Sequence, residues 1–291
     1  MDSISNEKIS QISFLRSKGA SYKKIARTIG VASATASKYG QHIILSENYK
    51  KQLIENENKN RERFARTYAK EKEISLPNLD ENLASVLGHL FFDGNVSKFN
   101  GKYILQYTNS SEVAIKQFIK KVSTLFSIAP AKIQTFKNKN IWYQVYFYSK
   151  KAVMFVERYS KTFSTKQAVG VPPAVMSASD NIKSAFLRAF WDDEGSISKV
   201  GYICGCSKSE PMINDLVVMH ELLGVNCTKR TDNKKGSYTI YILNNIENII
   251  NFSKKVGFEY GLITKGINSG RYKKDVLNET LERRLAFNSL H

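Results

Sequence analysis

Hydrophobic positions along this chain switch between helical spacing and strict alternation, and from residue 79 onward the series of switches runs twice. The first run predicts a helix over 79–93, a hairpin over 94–110 turning at Asn100-Gly101, and a helix over 111–128. A second hairpin, KIQTFKNKNIWYQVYFY, and a helix from Lys150 complete it. The second run predicts a helix over 180–194, a hairpin over 195–208 and a helix over 209–224. The hairpin CTKRTDNKKGSYTIYIL and a helix over 245–256 follow. Ser111-Glu112 and Ser209-Glu210 open matching helices, and WYQVYFY matches SYTIYIL. The repeat predicts an α+β fold of two αββαββα halves, 76–178 and 179–291.

Before the repeat, Ile9, Ile12 and Leu15 mark one face of a helix that Gly19 ends. Ser21 caps a second helix carrying Ile25, Ala26 and Ile29. Gly30-Val31-Ala32 turns the chain, and Ser33 opens a third helix. Residues 1–45 thus form a small all-α domain. Residues 46–75, rich in Lys, Glu, Asn and Arg, read as a solvated helical linker or a flexible tether.

The two helices that open the halves carry the chemistry. Val86–Gly94 (VLGHLFFDG) and Leu187–Gly195 (LRAFWDDEG) each end in a carboxylate followed by glycine, Asp93-Gly94 and Glu194-Gly195. An acid at a helix C-terminus faces the negative end of the dipole. Two such acids at about 4 Å would repel by roughly 4 kcal/mol, and a divalent cation between them turns that repulsion into binding. Ala84 and Gly88 match Ala185 and Ala189, small residues four apart that let two helices approach and bring the acids together.

The formal charge of +18, from 44 Lys and Arg against 26 Asp and Glu, favours a polyanionic partner. The first residues lack an apolar signal core, and no apolar run is long enough to span a bilayer, so an intracellular protein is expected. Cys204, Cys206 and Cys227 are an odd set without a neighbouring histidine cluster, and read as reduced thiols on strands; metal binding by the C-x-C pair is the lesser alternative. Two-stranded ribbons that alternate aromatic or aliphatic residues with Lys, Gln, Thr and Asn fit the major groove of B-DNA.

Residues 6–45 resemble the helix-turn-helix of resolvase-like DNA-binding domains: small Ala26, the turn glycine four later, then a Ser/Thr-capped helix. That resemblance makes Ser33, Thr35, Ser37 and Lys38 base-edge readers, with a generic three-helix bundle as the alternative. Residues 79–270 resemble the two-motif, monomeric LAGLIDADG homing endonucleases. FLRAFWDDEGSI matches the motif closely and LASVLGHLFFDGNV more loosely, with Phe91 in place of the first Asp and His89 in place of an apolar residue. The resemblance implies a pseudo-twofold saddle on double-stranded DNA, with Asp93 and Glu194 as catalytic metal ligands, normally for Mg²⁺. It also implies catalytic roles for Lys166 and Lys265, and DNA-facing polar pocket positions for Asn109 and Lys208. Asp192 and Asp193 read as structural or solvated, and His89 as a packed or capping residue. A site-specific endonuclease follows, with a non-cleaving DNA-binding regulator or an intron maturase as alternatives on the same scaffold.

Overall fold

In this computed structural model the described residues are 4–43, 45, 47, 49–51, 54–55, 57–59, 76–137, 141–167 and 169–288. The chain divides into two units, 1–70 and 71–291. In the first, α1 (Asn6–Ser17), α2 (Tyr22–Ile29) and α3 (Ser33–Gly40) surround a core of Ile12, Ile25, Ala26 and Ala36. The Ser21 hydroxyl accepts the Lys24 N–H, as its N-cap position predicts, and Gly30 ends α2 at φ 71°, a left-handed turn suited to glycine. The sequence places a Ser cap on α3, but Ala32 holds that position and no side chain caps the helix; Ser33 is its first residue. Much of the charged stretch 46–75 lies outside the described residues; within it, Lys50 and Glu47 form an ion pair at 2.6 Å.

In the second unit, α4 (Glu81–Phe92), β1 (Gly94–Phe99), β2 (Lys102–Asn109), α5 (Glu112–Phe126), β3 (Lys132–Lys137), β4 (Ile141–Tyr148) and α6 (Lys150–Val156) form one half. After a short α7 (Pro173–Met176), the order repeats. It comprises α8 (Asp180–Asp193), β5 (Gly195–Ile197), β6 (Ile203–Ser207), α9 (Glu210–Leu222), β7 (Cys227–Asp232), β8 (Ser237–Ile242) and α10 (Ile246–Lys255). The fold is α+β, with two antiparallel four-stranded sheets ordered β1-β2-β4-β3 and β5-β6-β8-β7. Asn100 (φ 48°) and Gly101 (φ 73°) make the tight β1–β2 turn. A final helix, α11 (Lys273–Asn288), has no counterpart in the sequence reading: it is mostly polar and buries few side chains, among them Val276, Leu277 and Thr280.

Each sheet turns one face to the helices, as alternation requires. Leu105, Tyr107, Val145 and Phe147 point inward from the first, and Ile203, Gly205, Ile240 and Ile242 from the second. The opposite faces carry Gln106, Thr108, Gln144 and Tyr146 in one sheet, and Cys204, Cys206, Thr239 and Tyr241 in the other. All three cysteines are free thiols on strands.

The centre of this unit is the α4–α8 pair. A Cβ added at Gly88 would lie 2.6 Å from Ala189 Cβ and 3.0 Å from the Phe186 carbonyl oxygen, so the helices touch at backbone distance. Neither neighbour can swing aside, which makes Gly88 a contact residue rather than a flexible one. Gly88→Val is expected to lower the urea midpoint at unchanged slope, with a stability loss of about 1–3 kcal/mol, the usual cost of overpacking. An unchanged midpoint would show that the helices separate freely at this point.

Candidate active site at the helix ends

Asp93 and Glu194 occupy the C-cap positions of α4 and α8. Each following glycine folds back onto its helix. A Cβ at Gly94 would meet Leu90 Cα at 2.5 Å, and one at Gly195 would meet the Trp191 carbonyl oxygen at 2.4 Å. Neither glycine has a positive φ, so lack of space, not a left-handed stop, excludes a side chain at both. This tight exit carries both acids into one cavity of about 380 Å³, whose lining includes Asn109, Trp142, Asp193, Lys265 and Lys273.

Three neighbours organise the floor. The Asp193 carboxylate is fully buried; Tyr107 Oη (2.7 Å) and Asn109 Nδ2 (3.0 Å) donate to one oxygen, while His89 Nδ1 lies 2.9 Å from the other. Asn109 Oδ1 accepts the Ser111 N–H, so its amide hydrogens face the acids, with Asp93 at 3.4 Å. Asp192 also lines the cavity, but its carboxylate is engaged elsewhere: it accepts the backbone N–H groups of Glu259, Tyr260 and Gly261 at 2.8–3.0 Å. Lys273 donates to the last carbonyls of α8, those of Trp191 (3.1 Å) and Asp192 (2.6 Å). A buried lysine at a helix C-terminus opposes the dipole and the acids together.

Burial dominates the electrostatics. It pushes Asp93 up to about 7 and Glu194 up to about 8, with further repulsion from Asp193 on the first and from Asp93 on the second; Lys273 opposes both shifts. Asp193 is raised well above the carboxylate range by burial, against the hydrogen bonds from Tyr107 and Asn109. Burial lowers His89 to about 4, so it is a neutral packed residue whose Nδ1 meets Asp193 at 2.9 Å.

The sequence candidates thus part company. Asp93, Glu194, Asn109 and Lys265 meet at one cavity, although Asn109 is buried among the acids and leaves the open sheet face to others. Lys166 and Lys208 are exposed and do not line it. Asp192 and Asp193 are both buried, so the solvated alternative falls away for each. Ser33 and Lys38 are exposed on α3, and Thr35 and Ser37 half-buried. Sequence reasoning missed Lys273, which lies three residues beyond the stretch carrying the resemblance, as well as the role of Tyr107, an alternating aromatic like its strand neighbours.

The donors around the cavity are carboxylate oxygens, which suit a hard divalent cation. Among the described residues no group of three or more His, Cys, Asp or Glu side chains is arranged to hold a metal ion. Two acids therefore leave most coordination positions to water or a ligand.

A pH dependence follows. Acids whose pKa rises on folding stabilise the protein below their unfolded values near 4, and that contribution is lost as pH rises through about 7 and 8. Below pH 6.5 the two buried histidines, His89 and His220, both lowered to about 4, act in the opposite sense. Metal-free protein is therefore expected to melt at lower temperature at pH 8.5 than at pH 6.5. Mg²⁺ should raise the melting temperature more at pH 8.5, where the acids are ionised. Equal metal-induced shifts at the two pH values in thermal melts would contradict this assignment.

Residues 181–257, less than half of the chain, match the LAGLIDADG-like domain family; they include the second motif and its acid. No curated protein matches the chain. Among solved structures the chain is similar to I-DmoI in complex with DNA and Mn, with TM-score 0.48 and 20% identity over 62% of this chain and 97% of that one. A structure of mesophilic variants from the homing endonuclease I-DmoI gives TM-score 0.49 and 20% identity over 62% and 91%. Full-length DUF199/WhiA from Thermatoga maritima gives 0.48 and 13% over 74% and 63%. Nothing about the activity of this chain follows from these three likenesses.

Proposed function

We infer that this chain is a site-specific, double-stranded DNA endonuclease of the two-motif LAGLIDADG type, acting as a monomer with a divalent metal, Mg²⁺ by preference. The observation that carries the reading is the convergence of Asp93 and Glu194, one from each half, in a single cavity beside two four-stranded sheets. A cleft of about this size at a pseudo-symmetric centre suits a phosphodiester group, and the +18 charge suits the backbone around it.

Asp93 and Glu194 would hold the cation, whose chemistry when bound is to supply a readily deprotonated water and a counter-charge for the leaving oxygen. The chain's other residues prepare the cavity for it. Asn109, fixed by the Ser111 amide, keeps its donors on the Asp93 and Asp193 carboxylates. Lys265, exposed at the cavity wall, is placed to bind a phosphate oxygen of the scissile group. Lys273 and the amides of residues 259–261 secure the end of α8, and with it Glu194. We assign Lys166 and Lys208 to backbone phosphates at a distance from the chemistry. Residues 1–45 act as a separate helix-turn-helix reader through Ser33, Thr35, Ser37 and Lys38, tethered by 46–75.

The second reading is a DNA-binding regulator that does not cut, which has no chemical need of an acid at the end of both motif helices. Exposure of a DNA library to the full chain with Mg²⁺ separates the two. Discrete double-strand cuts support the nuclease. Sequence-specific binding without cutting in Mg²⁺ or Mn²⁺ supports the regulator, and no specific binding removes both.

A further inference from the structure

On the outward face of the first sheet, Gln144 differs from its neighbours in being held from both ends. Its Nε2 lies 2.9 Å from Thr108 Oγ1, directly across the β2–β4 ladder, and the Tyr146 hydroxyl donates to its Oε1. Val145 and Phe147, the alternate residues of β4, are buried, so Gln144 and Tyr146 face away from the core. Gln106 and Gln134 lie on the same face, and among the described residues neither side chain is tied by a hydrogen bond.

A primary amide offers two N–H donors and two carbonyl lone pairs. Thr108 and Tyr146 use one of each, which leaves one donor and one acceptor on an amide that faces away from the core. Hydroxyl groups can exchange donor and acceptor roles, but either arrangement leaves the same pair free. That pair matches adenine in the major groove, where N7 accepts and the N6 amino group donates. Two fixed partners also remove the rotamer freedom that a lone glutamine would lose on binding.

We propose that Gln144 reads one adenine of the target duplex, with Tyr146 and Thr108 as positioning residues that set its amide. This inference rests on the reading of the sheets as a DNA-binding surface. A bidentate contact of this kind corresponds to roughly 5- to 150-fold discrimination against another base at that position. Glutamate in its place loses the donor and becomes a partner for the cytosine N4 amino group.

The test is selection of bound duplexes from a random library by the full chain, with Ca²⁺ in place of Mg²⁺, for wild type, Gln144→Glu, Tyr146→Phe and Thr108→Val. Wild type is expected to enrich a site with adenine at one position. Gln144→Glu should move that position alone toward cytosine, and the two positioning variants should weaken the preference there while leaving other positions unchanged. An enriched site that Gln144→Glu leaves unaltered at every position overturns the proposal and keeps the DNA-binding reading. No enrichment by folded wild type overturns that reading, and the proposal with it.

Discussion

Asp93→Asn and Glu194→Gln should each abolish double-strand cleavage in Mg²⁺ while leaving sequence-specific binding intact. Each substitution keeps the size of the side chain and removes one anionic ligand from the shared cavity. Loss of a group that stabilises developing charge costs on the order of 10²–10³-fold in rate, and a metal ligand contributes at least as much. Binding should hold or tighten, because each variant removes a negative charge that repels phosphate. The asymmetry of the site adds detail. Asp93 is in contact with Asn109, and Asp193 reaches across from α8 to Tyr107, Asn109 and His89 of the first half. The measurement is cleavage of a supercoiled plasmid bearing the selected site, with separate quantities for nicked and linear product. Full cleavage by either variant would remove that acid from the active site, and loss of binding in both would show that they act on the fold instead.

The largest effect on stability should come from Asp192, which has no part in the proposed chemistry. Its carboxylate accepts three backbone N–H groups, those of Glu259, Tyr260 and Gly261, for which it is the sole acceptor among the described residues. A buried donor left without a partner costs about 1–3 kcal/mol, so Asp192→Ala should lose about 3 kcal/mol or more. That is a large share of the 5–15 kcal/mol typical of a folded domain. Asp192→Asn is expected to be milder. Glu259 and Gly261 donate to one carboxylate oxygen, which the amide oxygen can replace, whereas Tyr260 would then face an NH₂ group. Urea unfolding should therefore rank wild type above Asn and Asn above Ala. A loss below about 1 kcal/mol for Asp192→Ala would mean that residues 259–261 are held by other contacts. Gly261 is part of the same clasp: a Cβ there would meet the Asp192 carbonyl oxygen at 2.7 Å.

Much of this architecture is legible from residues alone because it depends on short-range regularities. The duplicated order of helices and hairpins follows from repeated changes of hydrophobic period, and all eight strands of the repeat lie within the hairpins so predicted. The approach of α4 and α8 was written in Gly88 and Ala189, whose small size leaves little alternative use at those positions. Asp93 and Glu194 stood out because an acid at a helix C-terminus is locally unfavourable and therefore calls for a partner.

What those regularities could not reach is the identity of that partner's surroundings. Asp192 and Asp193 are adjacent and chemically equal in sequence, yet one clasps the 259–261 amides and the other bonds to Tyr107, Asn109 and His89. A helix turns about 100° per residue, so neighbouring side chains enter different environments, and only packing decides which environment each meets. Lys166 and Lys265 look equivalent in the repeat, but only Lys265 lines the acid cavity. Lys273 lies beyond the last repeated helix and reaches α8 across more than eighty residues of chain. Sequence by itself determined the repeat, the helix contact and the two acids, since each rests on periodicity or local electrostatics. Tertiary structure alone decided which charges are buried together, because desolvation and long-range hydrogen bonds exist only once the two halves have closed on each other.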